Sequence, residues 1–221
     1  MTGFRIGVDE AGKGPVLGPM IAAAVRAEEA DLPDGVADSK RLTAAKRELL
    51  ADRLQATDGV DIGVGVVTVE EIDDPETDMN RLTVAAQIQA IAGVAEAGDR
   101  AIVDAGDVSE SRFGRRVTEG VASEGIDIAV TAEHGADEEH KLAAAASIVA
   151  KVERDGRMAA VGADYDDCGP VGSGYPSDST TREFLASYVD RTGELPACAR
   201  RSWSTCEDVL AAAEQATLGD F

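Results

Sequence analysis

Four carboxylates stand where apolar segments of the chain stop. Asp9 and Glu10 follow an apolar run that begins at Phe4, Asp104 lies inside Ile102-Val-Asp-Ala105, and Asp137 heads a long alanine-rich stretch. Strand ends and helix starts are where α/β folds build their sites. Carboxylates gathered there repel one another and hold protons unless a cation sits among them. A set of oxygen ligands, without cysteine or histidine, favours Mg²⁺ or Mn²⁺ over zinc. Two such ions about 4 Å apart would clamp the attacking water and the leaving oxygen of a phosphodiester. Taken singly, each acid reads more simply as a turn or helix cap.

The stretch after the first pair narrows the choice. Gly12-Lys-Gly-Pro-Val-Leu-Gly-Pro19 places three glycines and two prolines in eight residues. Glycine lets backbone approach a ligand closely and present its N–H groups. The spacing G-x-G-x-x-x-G is not the dinucleotide fingerprint, and Gly12-Lys13 is followed by Gly14 rather than by the Ser or Thr of a phosphate-binding Walker loop. What remains is a tight, backbone-exposing loop beside two carboxylates, with one lysine fit for a phosphate.

These residues need a scaffold, and the hydrophobic pattern supplies one. Phe4–Asp9 and Met20–Ala27 read as two strands of a hairpin, and Val60–Val69 alternates as a half-buried third strand. Between the second and third, Thr43 can cap a helix with Leu42, Leu49, Leu50 and Leu54 on one stripe. Then follow a helix over Leu82–Ala97, a strand over Ala101–Ala105, a helix over Ser111–Ser123, a strand over Ile126–Thr131 and a long helix from about Glu138 to Ala160. In the tail, Thr180-Thr-Arg-Glu183 has the form of a capping box and Thr205 can cap a last helix. Three tightly joined strands followed by strand–helix–strand–helix predict a mixed five-stranded sheet with helices on its faces. No repeat or linker divides the chain.

The charge is unusual: 42 acidic against 21 basic residues give a formal −21 over 221 residues, and only five of the basic residues are lysine. Taken alone, that balance argues against a nucleic-acid partner. Few lysines and evenly scattered acids around a normal core also resemble proteins of extreme halophiles, where salt screens self-repulsion. On that reading net charge reports the solvent rather than the partner. Three cysteines (Cys168, Cys198, Cys206) without a C-x-x-C give no disulfide framework or zinc knuckle, and His134 and His140 lack a zinc spacing. The longest apolar run, Pro15–Val25, has 11 residues, too few to span a bilayer, and acids precede it where a signal peptide carries positive charge. A soluble, reduced, cytoplasmic protein is expected.

Asp9-Glu-Ala-Gly-Lys-Gly-Pro15 closely resembles the opening motif of ribonuclease HII, the type 2 ribonuclease H, in its archaeal form. The resemblance continues in order through Asp38-Ser-Lys-Arg-Leu42, Met79-Asn-Arg-Leu82, Ile102–Ala105, Ala132-Glu-His-Gly-Ala-Asp137, Ala144–Asp155, Gly172-Ser-Gly-Tyr-Pro-Ser-Asp178 and Arg201-Ser-Trp-Ser-Thr205. It implies a ribonuclease-H-like α/β catalytic domain over residues 1–178, with a C-terminal helical extension over 179–221 packed on it. The family's four metal-binding catalytic acids fall on Asp9, Glu10, Asp104 and Asp137, the four selected by their places at segment ends. Gly12, Lys13, Gly14 and Tyr175 fall on its substrate contacts, and Lys40, Lys151, Arg154 and Arg201 lie inside matching blocks. The activity implied is cleavage of the RNA strand of RNA–DNA hybrids and nicking at ribonucleotides embedded in duplex DNA, leaving 5′-phosphate and 3′-hydroxyl ends. Two Mg²⁺ or Mn²⁺ ions would serve it, in a monomer with no membrane association.

Two positions depart from the family. Lys13 replaces the usual arginine, keeping charge but losing planar bidentate phosphate contact. Gly135 stands where relatives commonly carry lysine. Two other readings stay open: a junction-resolving nuclease, which would need no 2′-hydroxyl, and a non-catalytic acidic protein that binds divalent cations. His134, His140 and Cys168 read as surface or inert residues, Trp203 as core, and the Ala143–Ala146 run as close helix–sheet packing.

Overall fold

A computed structural model describes residues 5–36 and 42–219 of the chain. Lys40, one of the cations in the matching blocks, lies outside the described residues. Five strands form one sheet in the order β3-β2-β1-β4-β5: β1 Ile6–Ala11, β2 Met20–Arg26, β3 Asp61–Val67, β4 Arg100–Asp104 and β5 Ala129–Glu133. β1 runs antiparallel to β2 and parallel to β4, and β4 runs parallel to β5, so the sheet is mixed as the pattern predicts. β1 is the central strand of the five, and both its faces are covered: Ile6 and Val8 are wholly buried on one, and Gly7 and Asp9 are buried on the other.

The helices are α1 Ala44–Ala56, α2 Val69–Ile72, α3 Met79–Ala92, α4 Glu110–Ser123, α5 Ala136–Glu139, α6 Lys141–Asp164, α7 Ser179–Thr192 and α8 Ser204–Gly219. The alanine run of α6 does what its small side chains allow. Ala143–Ala146 are buried, and a Cβ on Gly7 of β1 would lie 2.1 Å from the Leu142 carbonyl carbon, so helix and strand touch through backbone. Thr43 caps α1 by accepting from the Lys46 N–H, and Leu50 and Leu54 enter the core, but Leu49 is exposed.

Several boundaries move. β1 extends through Asp9 and Glu10 to Ala11, so the first two acids sit within the strand. β5 begins three residues later than expected. The predicted single helix from Glu138 is two, because His140 is extended (φ −125°, ψ 119°) between α5 and α6. Asp137 therefore lies in the one-turn α5. Asp178, not Thr180, caps α7 by accepting from the Thr180 N–H, and Thr205 lies inside α8 rather than ahead of it.

Packing groups the chain into two units, divided differently from the expected boundary after residue 178. One contains residues up to Ala11, Met20–Val66 and Asp78–Arg154; the other contains Gly12–Pro19, Val67–Thr77 and Asp155 onward. The first holds the sheet and a core that includes Ile21, Val25, Leu54, Leu142 and Ile148. The second has its own core of Val16, Leu17, Met158, Phe184, Leu185, Val189 and Cys206. Among the described residues no helix is long and apolar enough to cross a membrane.

Candidate active site

The four predicted acids all belong to the sheet-bearing unit. Val8 of β1 pairs with Val103 of β4, so the next residues, Asp9 within β1 and Asp104 at the end of β4, follow side by side where the parallel pairing stops. Asp9 is 6 % exposed, and its carboxyl is pushed up to about 6, first by burial and further by the charge of Asp104. Three groups act against that rise: the Ser147 hydroxyl, the Glu10 N–H at 2.7 Å and the cation of Lys151. Lys151 Nζ donates to Ser147 Oγ at 2.5 Å, so one turn of α6 links lysine, serine and Asp9.

Asp104 reaches the other way. Its Oδ1 accepts from the Ala136 N–H at 2.9 Å, which fixes the one-turn α5 and with it buried Asp137. Gly135 ahead of α5 has φ 68°, ψ 29°, a left-handed conformation that favours glycine, which accounts for its glycine at this position. Gln87 of α3, wholly buried, donates through Nε2 to Glu10 Oε2 at 2.8 Å and to the Asp104 carbonyl at 3.0 Å. Asp9, Glu10, Asp104 and the turn bearing Asp137 are thus tied into one network. The donor set is all oxygen, and a divalent cation would offset both the burial that chiefly lifts Asp9 and the added charge of Asp104, so the residues fit such an ion. Among the described residues, however, no three Asp, Glu, His or Cys side chains already close round one ion.

The predicted substrate contacts, Gly12, Lys13, Gly14 and Tyr175, belong to the second unit. Arg200, wholly buried, holds the loop: it donates to the carbonyls of Gly12 (2.6 Å), Lys13 (3.1 Å) and Gly18 (2.9 Å). With no cis peptide among the described residues, each peptide's N–H points opposite its carbonyl. The carbonyls of Gly12 and Lys13 face Arg200, so the N–H groups of Lys13 and Gly14 face away from it. Trp203 is half-buried rather than core; its indole donates to the Gly14 carbonyl at 3.3 Å and its ring lies 5.0 Å from the Arg200 guanidinium.

Tyr175 is 41 % exposed on a turn locked from both sides. Asp178 accepts from Ser173 N–H and hydroxyl, both at 2.7 Å, which hold its carboxyl down at about 2. The preceding Gly174 carbonyl accepts from the N–H groups of Val16 and Leu17 at 2.8 and 3.2 Å, joining the tyrosine turn to the glycine loop.

Of the other cations, Arg154 is buried, while Arg201 is exposed with its backbone N–H on Asp73 Oδ2 at 2.8 Å. His134 is exposed, whereas His140 is half-buried against Glu133 at 2.9 Å. All three cysteines are free, and burial pushes the Cys198 and Cys206 thiols up to about 11. Sequence reasoning missed Gln87, Arg200 and Ser147. Gln87 carried a readable signal, a polar residue on the stripe Leu82, Ala86, Ala90, Ile91 of α3. Arg200 carried none, since its acceptors lie about 185 residues away in sequence.

The family model for ribonuclease HII matches residues 6–206. The ribonuclease HII of Halobacterium salinarum is 61 % identical over 217 residues, covering 98 % of this chain and 99 % of that protein. Among solved structures, the ribonuclease H2 of Pyrococcus horikoshii superposes with a TM-score of 0.83 at 35 % identity, covering 95 % of this chain and 98 % of that one. The ribonuclease HII of Archaeoglobus fulgidus, in a complex with PCNA, gives 0.78 at 35 % identity over 92 % and 95 % of the two chains. With the family model spanning most of the chain and relatives matched end to end, this chain belongs to the ribonuclease HII family, hydrolases that cleave the RNA of RNA–DNA hybrids.

Proposed function

We propose that the chain is an endonuclease that cuts within the RNA strand of hybrids and also nicks duplex DNA at single embedded ribonucleotides, leaving 5′-phosphate and 3′-hydroxyl ends. The observation that carries this is the Asp9–Asp104 pair, side by side where the β1–β4 pairing stops, with the buried Asp9 carboxyl pushed up to about 6. Asp9, Glu10, Asp104 and Asp137 would hold two Mg²⁺ or Mn²⁺ ions, with water and substrate oxygens completing their coordination. Such ions supply charge for the developing phosphorane and lower the pKa of the attacking water. The residues' own part is to present carboxylate oxygens from a fixed framework. The outward N–H groups of Lys13 and Gly14, the Lys13 ammonium and Tyr175 would bind the phosphate and sense the 2′-hydroxyl, the group that separates RNA from DNA.

A labelled duplex carrying one ribonucleotide, incubated with Mg²⁺ or Mn²⁺, tests the reading. A single nick there and an intact all-DNA duplex are expected. Cutting of the all-DNA duplex would favour a junction-resolving nuclease, and Mn²⁺ binding with an intact hybrid would favour a non-catalytic protein. We extend a clamp partner to this chain from the Archaeoglobus fulgidus complex with PCNA; co-elution with a sliding clamp tests it. The formal charge of −21 supports function in concentrated salt. Thermal unfolding should shift upward from dilute buffer to molar KCl as self-repulsion is screened, and a Tm independent of salt would remove that reading.

A further inference from the structure

Gln87 is a costly residue for its position. Its side chain is wholly buried on the core face of α3, and while its Nε2 serves two acceptors, its Oε1 is buried with no hydrogen-bond partner among the described residues. A buried acceptor left unsatisfied is destabilising, and an apolar residue of the same volume would avoid that loss. The amide cannot turn round to cure it. Both neighbours of Nε2, Glu10 Oε2 and the Asp104 carbonyl, are acceptors, so a flipped amide would set its oxygen against two others. The benefit therefore lies on the nitrogen side, and that side faces two of the four acid positions.

Each contact has a definite effect. The bond to Glu10 Oε2 restricts the rotamers of a long, half-buried carboxylate and occupies one lone pair, leaving its remaining lone pairs to face elsewhere. The bond to the Asp104 carbonyl holds the end of β4, where the Asp104 side chain leaves the strand. One amide group thus spans β1 and β4 at the residues where their acids emerge, without adding negative charge to a site that already has an excess. From this we propose that Gln87 is a positioning residue for metal binding: it sets the Glu10 carboxylate and the β4 terminus so that the acids are presented together to a divalent cation. The inference rests on the reading of these acids as metal ligands.

Gln87→Met tests it, since Met is unbranched, similar in volume and free of the orphaned oxygen; Gln87→Leu is the second variant should the first not fold. Mn²⁺ affinity by titration calorimetry and the Mn²⁺-induced rise in Tm are measured beside cleavage of the single-ribonucleotide duplex. Loss of a residue that orients a ligand typically weakens metal binding by 10- to 100-fold. The expected result is a Kd for Mn²⁺ raised about tenfold or more and half-maximal cleavage moved to correspondingly higher Mn²⁺, whether or not the metal-free Tm falls as two acceptors lose their donor. A lower metal-free Tm with unchanged Mn²⁺ affinity would show that Gln87 only ties α3 to the sheet and would overturn the proposal. If the parent itself bound no Mn²⁺, the reading of the acids would fail, a result separate from failure of the Gln87 argument alone.

Discussion

Around Asp9, in the sheet-bearing unit, the candidate residues offer side chains; around Gly12, in the second unit, they offer backbone. The sheet-bearing unit presents carboxylates whose burial and mutual repulsion leave an unmet demand for positive charge, shown by the raised carboxyl of Asp9. The second unit presents N–H groups, and its buried cation, Arg200, faces loop carbonyls. One region concentrates acids whose burial and neighbouring charge raise the Asp9 carboxyl, as expected of the metal-binding reading proposed above. The other has its internal hydrogen bonding largely met and offers what is left. Charge removal should therefore abolish chemistry in the first region with little harm to folding, whereas in the second the same loss of charge should damage the structure.

The largest effect is expected from single neutralisations in the first region. Asp104→Asn keeps an acceptor for the Ala136 N–H, and Asp137→Asn keeps the shape of α5. Each should lower cleavage by about two to three orders of magnitude with little change in Tm, and the double variant should be scarcely slower than either single, because the unit is already broken. Near-normal turnover of Asp137→Asn at saturating Mn²⁺ would remove it from the site. Arg200→Met is the counterpart in the second region. Three backbone carbonyls lose a charged donor inside a core, so destabilisation of about 3 kcal/mol or more is expected, read by denaturant unfolding. A stable but slow Arg200→Met protein would instead mean that the loop keeps its shape by other contacts.

Asp9→Asn sharpens the contrast because it should stabilise the metal-free protein. The folded carboxyl titrates near 6 against an ordinary 3.8, so the folded state prefers the protonated acid. That preference is fully expressed below pH 3.8 and is lost as pH rises through 6. The stability advantage of Asp9→Asn should therefore be small at pH 4 and grow to about 3 kcal/mol by pH 7, at the expense of cleavage. Unfolding curves at the two pH values, without metal, measure it. An advantage that did not grow with pH would mean that burial and the Asp104 charge do not lift the Asp9 carboxyl.

The first region was the more legible of the two in the sequence, for a physical reason. Its acids interrupt apolar strands, and a polar residue in a period-two pattern is visible without a structure. The strand set, the hairpin, the Thr43 cap and the helix–sheet contact of the alanine run were readable on the same ground. Where local cues compete, reading failed: Asp178 outcompetes Thr180 as a cap because Ser173 and Thr181 also engage its carboxylate, and the break at His140 has no proline or glycine to announce it. The division into two units was not readable, since Gly12–Pro19 and Val67–Thr77 join the distant tail through contacts such as Arg200 with Gly12 and Arg201 with Asp73.

The smallest change separates what the loop does from what holds it. Gly14 is exposed, and a Cβ there meets nothing within 4 Å. Gly12 is buried at φ 94°, a backbone conformation that L side chains rarely adopt. Gly12→Ala should thus cost about 1–3 kcal/mol of stability, and any loss of cleavage would be confounded with strain. Gly14→Ala should leave stability within about 0.5 kcal/mol while placing a methyl beside the outward N–H groups. If backbone there approaches the ribose, cleavage at a lone ribonucleotide should fall by about tenfold or more, chiefly through KM. A Gly14→Ala protein with unaltered kcat/KM would show that this loop serves the fold and not the substrate, and the second region would lose its claim to recognition.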